Sequence, residues 1–241
     1  MPFSRKFIFK KIAKKATHVT SVSNFLANKV RELLGVKPIV IENIIEIAQK
    51  PDAITEQDSN ITALMVADLR DEIKNISGVL HVMKQVTHSH SNFKLNIIGD
   101  GPDKTKLINL SKQLGVYNKS VFFLGRKSNQ EVLVEIQKSS FCVVNSTVET
   151  FSVFTLESIF SGKPVICTKC GGPEDFINLN NGLLINKNNE VELKNAITYL
   201  IQNLHDYSAE KVKTSVQLDL TEQSIGKRLF SLYNEVIRKT I

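Results

Sequence analysis

Cysteine is scarce in this chain. Three in 241 residues is a usage that fits a reducing compartment. No apolar run approaches the roughly 18 residues that a membrane-spanning helix needs. No stretch reads as a secretory signal with an apolar middle, so the expected location is the cytoplasm, free or at the inner face of the membrane. Several catalytic signatures are missing too. The chain holds no GxSxG, no Walker A sequence, no HExxH, no DxD and no clustered carboxylates for a divalent cation. Cys167 and Cys170 form a CxxC, but a zinc site needs four ligands and only Cys142 remains. His88 and His90 belong to no paired motif. Neither a metal nor a cofactor is expected. Repeats, coiled-coil heptads and low-complexity tracts are absent as well.

What the chain does have is positive charge. The formal net charge is +7, a balance that favours acidic surfaces or phosphorylated ligands. Nucleic acid is not among the expected partners. "SRKFIFKKIAKKA" carries Arg5, Lys6, Lys10, Lys11, Lys14 and Lys15 without an acid. Phe3, Phe7, Ile8, Ile12 and Ala16 recur there at roughly helical spacing, so a basic amphipathic helix is expected. It reads either as a foot on a membrane surface or as a solvated helix that packs on a neighbouring domain.

Strand and helix patterns alternate along the rest. Strands are expected at 18–23, 38–43, 61–67, 93–99, 120–125, 141–146, 163–168 and 182–186. Helices are expected at 24–34, 75–87, 103–114, 129–138, 152–161, 190–203 and 221–239. Several strands are continuous apolar runs, as strands covered on both faces are. The fold class is therefore α/β, a parallel sheet with helices on both faces. The polar stretch 46–60 breaks the rhythm and reads as a linker. In such a sheet, ligands bind beyond the carboxyl ends of the strands. The loops there read "VADLRDEIKN", "GDGP", "GRKSNQE", "NSTVETFS" and "TKCGGPED". "GDGP" is half of a dinucleotide fingerprint and reads as a tight turn.

The sharpest signal is a carboxylate in an apolar helix. Glu157 stands among Val153, Phe154, Leu156, Ile159 and Phe160, eight residues after Glu149. A buried charge is costly unless something meets it. With the helix starting near Ser152, Glu149 hangs in the preceding loop and Glu157 lies inside. Both then flank a ligand on the helix N-terminus, where backbone N–H groups and the macrodipole favour an anion. That geometry suits a diphosphate with polyols at both ends.

"ETFSVFTLE", followed by "SGKPVI", "CGGPE" and "NGLLI", resembles the E-x7-E signature of retaining glycosyltransferases of family 4, the glycosyl transferases group 1. "VTSVSNFLANKV", "IIGDGPDKTKLINLSKQLG", "VFFLGRKSNQEV" and "AITYLIQN" follow the family order, so the likeness covers most of the chain. It implies a GT-B arrangement of two Rossmann-like domains. This chain would supply mainly the C-terminal one, which binds a nucleotide-diphosphate sugar without metal. The implied organisation is an acceptor-domain remnant at 1–45, a linker at 46–60, a donor-binding domain at 61–220 and a C-terminal helix at 221–241. By the same resemblance Glu149 contacts donor-sugar hydroxyls and Glu157 the ribose. The backbone at Phe151, Ser152 and Val153 lies along sugar and diphosphate, Lys74 neutralises the diphosphate, and Gly125 and Arg126 hold the nucleobase.

Two departures stand out. Where the family reads "GRL" this chain reads "ADL", which puts Asp68 in the place of a diphosphate arginine and leaves Arg70 to reach in. By the resemblance, the acceptor domain that supplies a histidine in the family is expected here only as its last helix and strand. A sugar or lipid-linked sugar is the expected acceptor, with self-association or pairing with an acceptor-domain chain. A non-catalytic nucleotide-sugar-binding subunit and a GT-B epimerase remain as alternatives.

Overall fold

The structure, a computed structural model, describes residues 3–46 and 61–240. From residue 47 on, the expected linker lies outside the described residues. The chain forms two compact units. One holds the N-terminal residues to Glu46, the segment Thr150–Val153 and the chain from Leu218. The other holds the chain to Glu149 and Phe154–Gln217.

In the first unit, helix α1 (Phe3–Lys15) leads through strand β1 (Thr20–Ser21) and helix α2 (Asn24–Leu34) to strand β2 (Ile39–Val40). β1 and β2 pair in parallel, Thr20 opposite Ile39 and Ser21 opposite Val40. The strands expected at 18–23 and 38–43 are thus only two residues long. β1 ends early because Ser23 already caps α2, its Oγ accepting from the Leu26 amide at 3.1 Å. From Phe7 on, α1 is exposed almost all round. The single apolar stripe expected there does not form, because the step from Phe7 to Ile12 turns a helix by about 140°. Phe7, Ile8, Phe9 and Ile12 are all solvent-exposed.

The second unit contains β3 (Ile61–Val66), α3 (Asp71–Lys74), α4 (Ile76–Ser89), β4 (Phe93–Ile98), α5 (Lys104–Gln113), β5 (Val121–Gly125) and α6 (Asn129–Lys138). It continues with β6 (Phe141–Val144), α7 (Val153–Phe160), β7 (Val165–Thr168), β8 (Gly182–Ile185), α8 (Glu190–Asn203) and α9 (Ala209–Thr214). Six parallel strands form one sheet in the order β5-β4-β3-β6-β7-β8. This is the Rossmann-like doubly wound α/β class expected from the alternation. β6 and β7 are buried at every residue, which explains their unbroken apolar sequences FCVV and VICT. Phe93 and Phe141 stack in the core with ring centroids 5.7 Å apart. α4 packs against α8. It buries Val79, Leu80, Val82, Met83 and Val86, and α8 buries Leu193, Ile197 and Leu200. Each such side chain contributes about 1.5–3 kcal/mol when fully removed from water.

One helix start differs from expectation. A separate turn, α3, precedes α4, and Asn75 between them is left-handed (φ 45). Gly78 makes this possible, since a Cβ there would lie 2.7 Å from Asn75 Oδ1.

The chain returns to the first unit with α10 (Glu222–Thr240). Arg228 ties it to β2, donating to Glu42 at 2.6 Å and to the Val40 carbonyl at 2.7 Å. Ile225 is buried, while Phe230, Tyr233 and Ile237 are exposed.

Candidate functional site

The strand order places β3 beside β6, with the chain winding outward from them in opposite directions. That is the topological switch point, where an open α/β sheet has its ligand crevice. The loops around it hold one another by backbone bonds. The Ala67 amide donates to Ile98 at 3.0 Å, Leu69 to Asp100 at 2.9 Å and Gly99 to Gly125 at 2.9 Å. Gly99 accepts no substitute, because a Cβ there would sit 1.8 Å from the Ala67 carbonyl oxygen.

Lys74, after β3, and Glu149, after β6, meet across the switch point. Lys74 Nζ lies 2.5 Å from Glu149 Oε1, and the side chains are 21% and 16% exposed. Ser146 Oγ donates to the same oxygen at 2.7 Å. Glu149 is also fixed through its backbone, with its amide donating to Cys170 at 2.8 Å and its carbonyl accepting from Gly172 at 2.9 Å. The loop after β6 is thereby zipped to the loop after β7. Gly171 takes φ 118, and its amide donates to Glu174 Oε1 at 2.7 Å.

Glu157 is only 4% exposed and sits in α7, which starts at Val153. Phe151 is buried, and Ser152 is left-handed at φ 64. Such a conformation costs a non-glycine residue about 1–3 kcal/mol and collects at functional sites. Ser23 Oγ donates to the Thr150 carbonyl at 2.5 Å, which anchors this segment to the start of α2 within the first unit.

Arg70 Nε pairs with Asp68 Oδ2 at 2.9 Å, both side chains more than half exposed. Gly125 is left-handed at φ 73, and Arg126 follows it at the end of β5, two strands from β3. The Lys104 ammonium, bonded at 3.1 Å, holds the Asp100 carboxyl below its usual range; the Gly101 amide and the charge of Arg126 add to this. The CxxC thiols are buried. The Cys170 thiol bonded to Cys167, with burial, pushes the Cys167 thiol up. Among the described residues no group of three or more His, Cys, Asp or Glu is placed to hold a metal ion. No helix among them is long and apolar enough to cross a membrane.

Sequence reasoning did not single out Asn145, Ser146 or Thr168. Asn145 Nδ2 donates to the Asn75 carbonyl at 2.9 Å. Thr168 Oγ1 donates to the Ser146 carbonyl at 2.5 Å. Loop asparagines and serines carry no periodic signal, so only the fold reveals these bonds.

The pattern of the family described as glycosyl transferases group 1 matches residues 46–214. The chain belongs to that family. An uncharacterized glycosyltransferase of Methanocaldococcus jannaschii is 32% identical over 199 residues, which is 82% of this chain and 53% of the relative. Among solved structures, a TarM variant of S. aureus in complex with Fondaparinux, alpha-GlcNAc-glycerol and UDP superposes with TM-score 0.84 at 21% identity, covering 97% of this chain and 47% of TarM. Anabaena HepE in complex with UDP and glucose gives 0.86 at 18% identity, covering 98% and 68%. At those identities the likeness is one of fold, and the fold is that of GT-B glycosyltransferases. The chain spans a little over half the length of the curated relatives it matches. Glu149 and Glu157, with seven residues between them, lie on the loop and the helix after β6.

Proposed function

We propose that this chain binds the donor in a retaining, family 4 transfer of a sugar from a nucleoside diphosphate to an acceptor hydroxyl. The observation that carries the reading is the Lys74–Glu149 pair at the switch point of a group 1 sheet. Lys74 carries three N–H donors and gives one to Glu149, which leaves donors for a diphosphate. Glu149 has its second oxygen for the sugar hydroxyls. Glu157 takes the ribose, and Gly125 and Arg126 the base. The backbone of Phe151, Ser152 and Val153 at the start of α7 follows the sugar and diphosphate. Arg70 supplies a second cation once it leaves Asp68. Transition-state charge builds on the leaving diphosphate, and fixed cations and amides stabilise it without reorganising. Positioning of donor and acceptor does the rest.

Solved GT-B neighbours holding UDP support a nucleoside diphosphate donor and make UDP-sugars the first to test. The acceptor is a sugar or a lipid-linked sugar, in cell-surface polysaccharide or glycoconjugate synthesis in the cytoplasm. Residues 61–220 form the donor domain in this proposal. Residues 1–45 and the helix of 221–241 belong to the acceptor side, with 46–60 as linker. The exposed apolar residues of α1 and α10 support self-association or an acceptor-domain partner. The exposed lysines of α1 support contact with an acidic membrane surface. Light scattering and anionic vesicle sedimentation test these two contacts.

The test of the reaction is release of nucleoside diphosphate from labelled donor with a panel of acceptors. The glycosidic product keeps the donor's anomeric configuration. EDTA leaves the rate unchanged, since Lys74 and backbone amides supply the positive charge. An inverted product, or a rate that collapses with EDTA, contradicts the mechanism. Donor epimerised without acceptor shows the epimerase alternative instead. Binding without transfer shows a donor-binding subunit.

A further inference from the structure

We propose that Asn145 and Ser146, neighbours just past β6, are positioning residues that together preset the Lys74–Glu149 pair. Ser146 aims the Glu149 carboxylate, and Asn145 holds the backbone behind Lys74. The proposal rests on the donor-site reading above.

Ser146 is 2% exposed, and its Oγ donates to Glu149 Oε1 at 2.7 Å. A hydroxyl has one proton to give, so this proton is committed to Glu149. Ser146 is itself held, because Thr168 Oγ1 at the end of β7 donates to its carbonyl at 2.5 Å. Lys74 Nζ takes the same Oε1. Two donors on one oxygen fix the plane of the carboxylate, while Oε2 accepts no hydrogen bond from the described residues. The oxygen left over is thus presented in a defined direction for a ligand hydroxyl. Without Ser146, Glu149 keeps its charge and its lysine but can swing about that one contact.

Asn145 is 3% exposed, and its Nδ2 donates to the Asn75 carbonyl at 2.9 Å. Next along the loop, the Thr147 amide donates to the Ile73 carbonyl at 2.7 Å. Ile73 and Asn75 flank Lys74, so the loop grips the backbone on both sides of it. Asn75 is left-handed, a conformation that surrounding contacts must hold in place. The loop that carries Glu149 therefore also fixes the distance to Lys74, and the two charges are set as one piece.

The two assignments predict different ligand signatures. In Ser146→Ala and in Ser146→Cys, whose thiol is only a weak donor, affinity for a UDP-sugar falls by about tenfold, the scale of one hydrogen bond to a charged group. Affinity for UDP stays within about twofold, because UDP lacks the transferred sugar whose hydroxyls Glu149 meets. In Asn145→Ala both ligands weaken together through Lys74. In a Glu149→Gln background, Ser146→Ala costs much less than in the wild type. Parallel loss of both ligands in the Ser146 variants, with a lowered melting temperature, would mean ordinary loop stitching and overturn the assignment; so would unchanged affinities. A wild-type chain that binds neither ligand ends the donor-site reading rather than this one. Ligand-free melting then decides. The Lys74–Glu149 double-mutant coupling shrinks in Ser146→Ala if Ser146 aims the carboxylate, and an unchanged coupling refutes it.

Discussion

Lys74 and Glu149 stand 75 residues apart in sequence, yet their Nζ and Oε1 atoms approach to 2.5 Å. One residue follows β3 and the other follows β6, the two strands at which the winding of the sheet reverses. The pair is mostly shielded, and Ser146 shares the acceptor oxygen. Removing one member of a well-shielded pair strands the other's charge, which costs more than the intact pair contributes. The site thus carries a preset positive group beside a preset acceptor.

Lys74→Ala separates phosphate contact from general damage. Affinity for a nucleoside diphosphate should fall by about 1.5–3 kcal/mol, the scale of a lost charged hydrogen bond. Affinity for the nucleoside alone should hardly move. Calorimetry with the two ligands checks this, and equal losses would take the lysine away from the phosphates.

Glu157→Gln keeps the shape of a 4% exposed side chain and removes its charge. The fold should stay intact by circular dichroism, while nucleotide-sugar affinity falls. Wild-type affinity in this variant would remove Glu157 from the ribose.

Ser152→Gly should raise the melting temperature. The serine is held at φ 64, where an L-residue is strained by about 1–2 kcal/mol and glycine is not. Ser152→Val, branched at Cβ, should lower it. Scanning calorimetry on both variants settles the sign, and a destabilised glycine variant would show that the serine side chain contributes more than the strain costs.

Cys142 supplies a pH signature. Burial pushes its thiol up to about 11. The folded state favours the protonated thiol, so this contribution is complete below the unfolded value of about 8.5 and is lost as pH rises through the folded one. Cys142→Ala should melt lower than wild type at neutral pH and lose less stability from about pH 9 to 11. Parallel profiles would mean the thiol does not titrate in this window.

Much of the scaffold is legible in sequence, for identifiable reasons. α6 and α8 fall on 129–138 and 190–203 residue for residue. Each has a capping side chain: Ser128 opens α6 in a capping box with Glu131, and Asn189 Oδ1 accepts from the Glu192 amide at 3.0 Å. The buried runs of β6 and β7 announce a sheet covered on both faces. β1 and β2 are less legible, since "HVTSVS" and "PIVIEN" have strand composition, but the cap at Ser23 cuts the first short. The α3–α4 break is hidden because it depends on a Cβ missing three residues later, at Gly78. Of the candidate site, Glu149, Glu157 and Lys74 stand out by motif. The partners that aim them are ordinary loop residues, visible only once the strands are adjacent. The resemblance offers Arg70, two residues past Asp68, as a cation, and its ion pair with Asp68 is visible only in the structure.

The central claim is that a nucleoside diphosphate sugar binds at the Lys74–Glu149 switch point. Titration calorimetry of UDP-, GDP- and ADP-sugars into the wild-type chain and Glu149→Gln tests it most directly. The expected result is saturable one-to-one binding of at least one of them. Glu149→Gln should weaken the sugar nucleotide by about tenfold or more while sparing the free diphosphate nucleotide. No heat with any of the three, or binding that Glu149→Gln leaves unchanged, would contradict it.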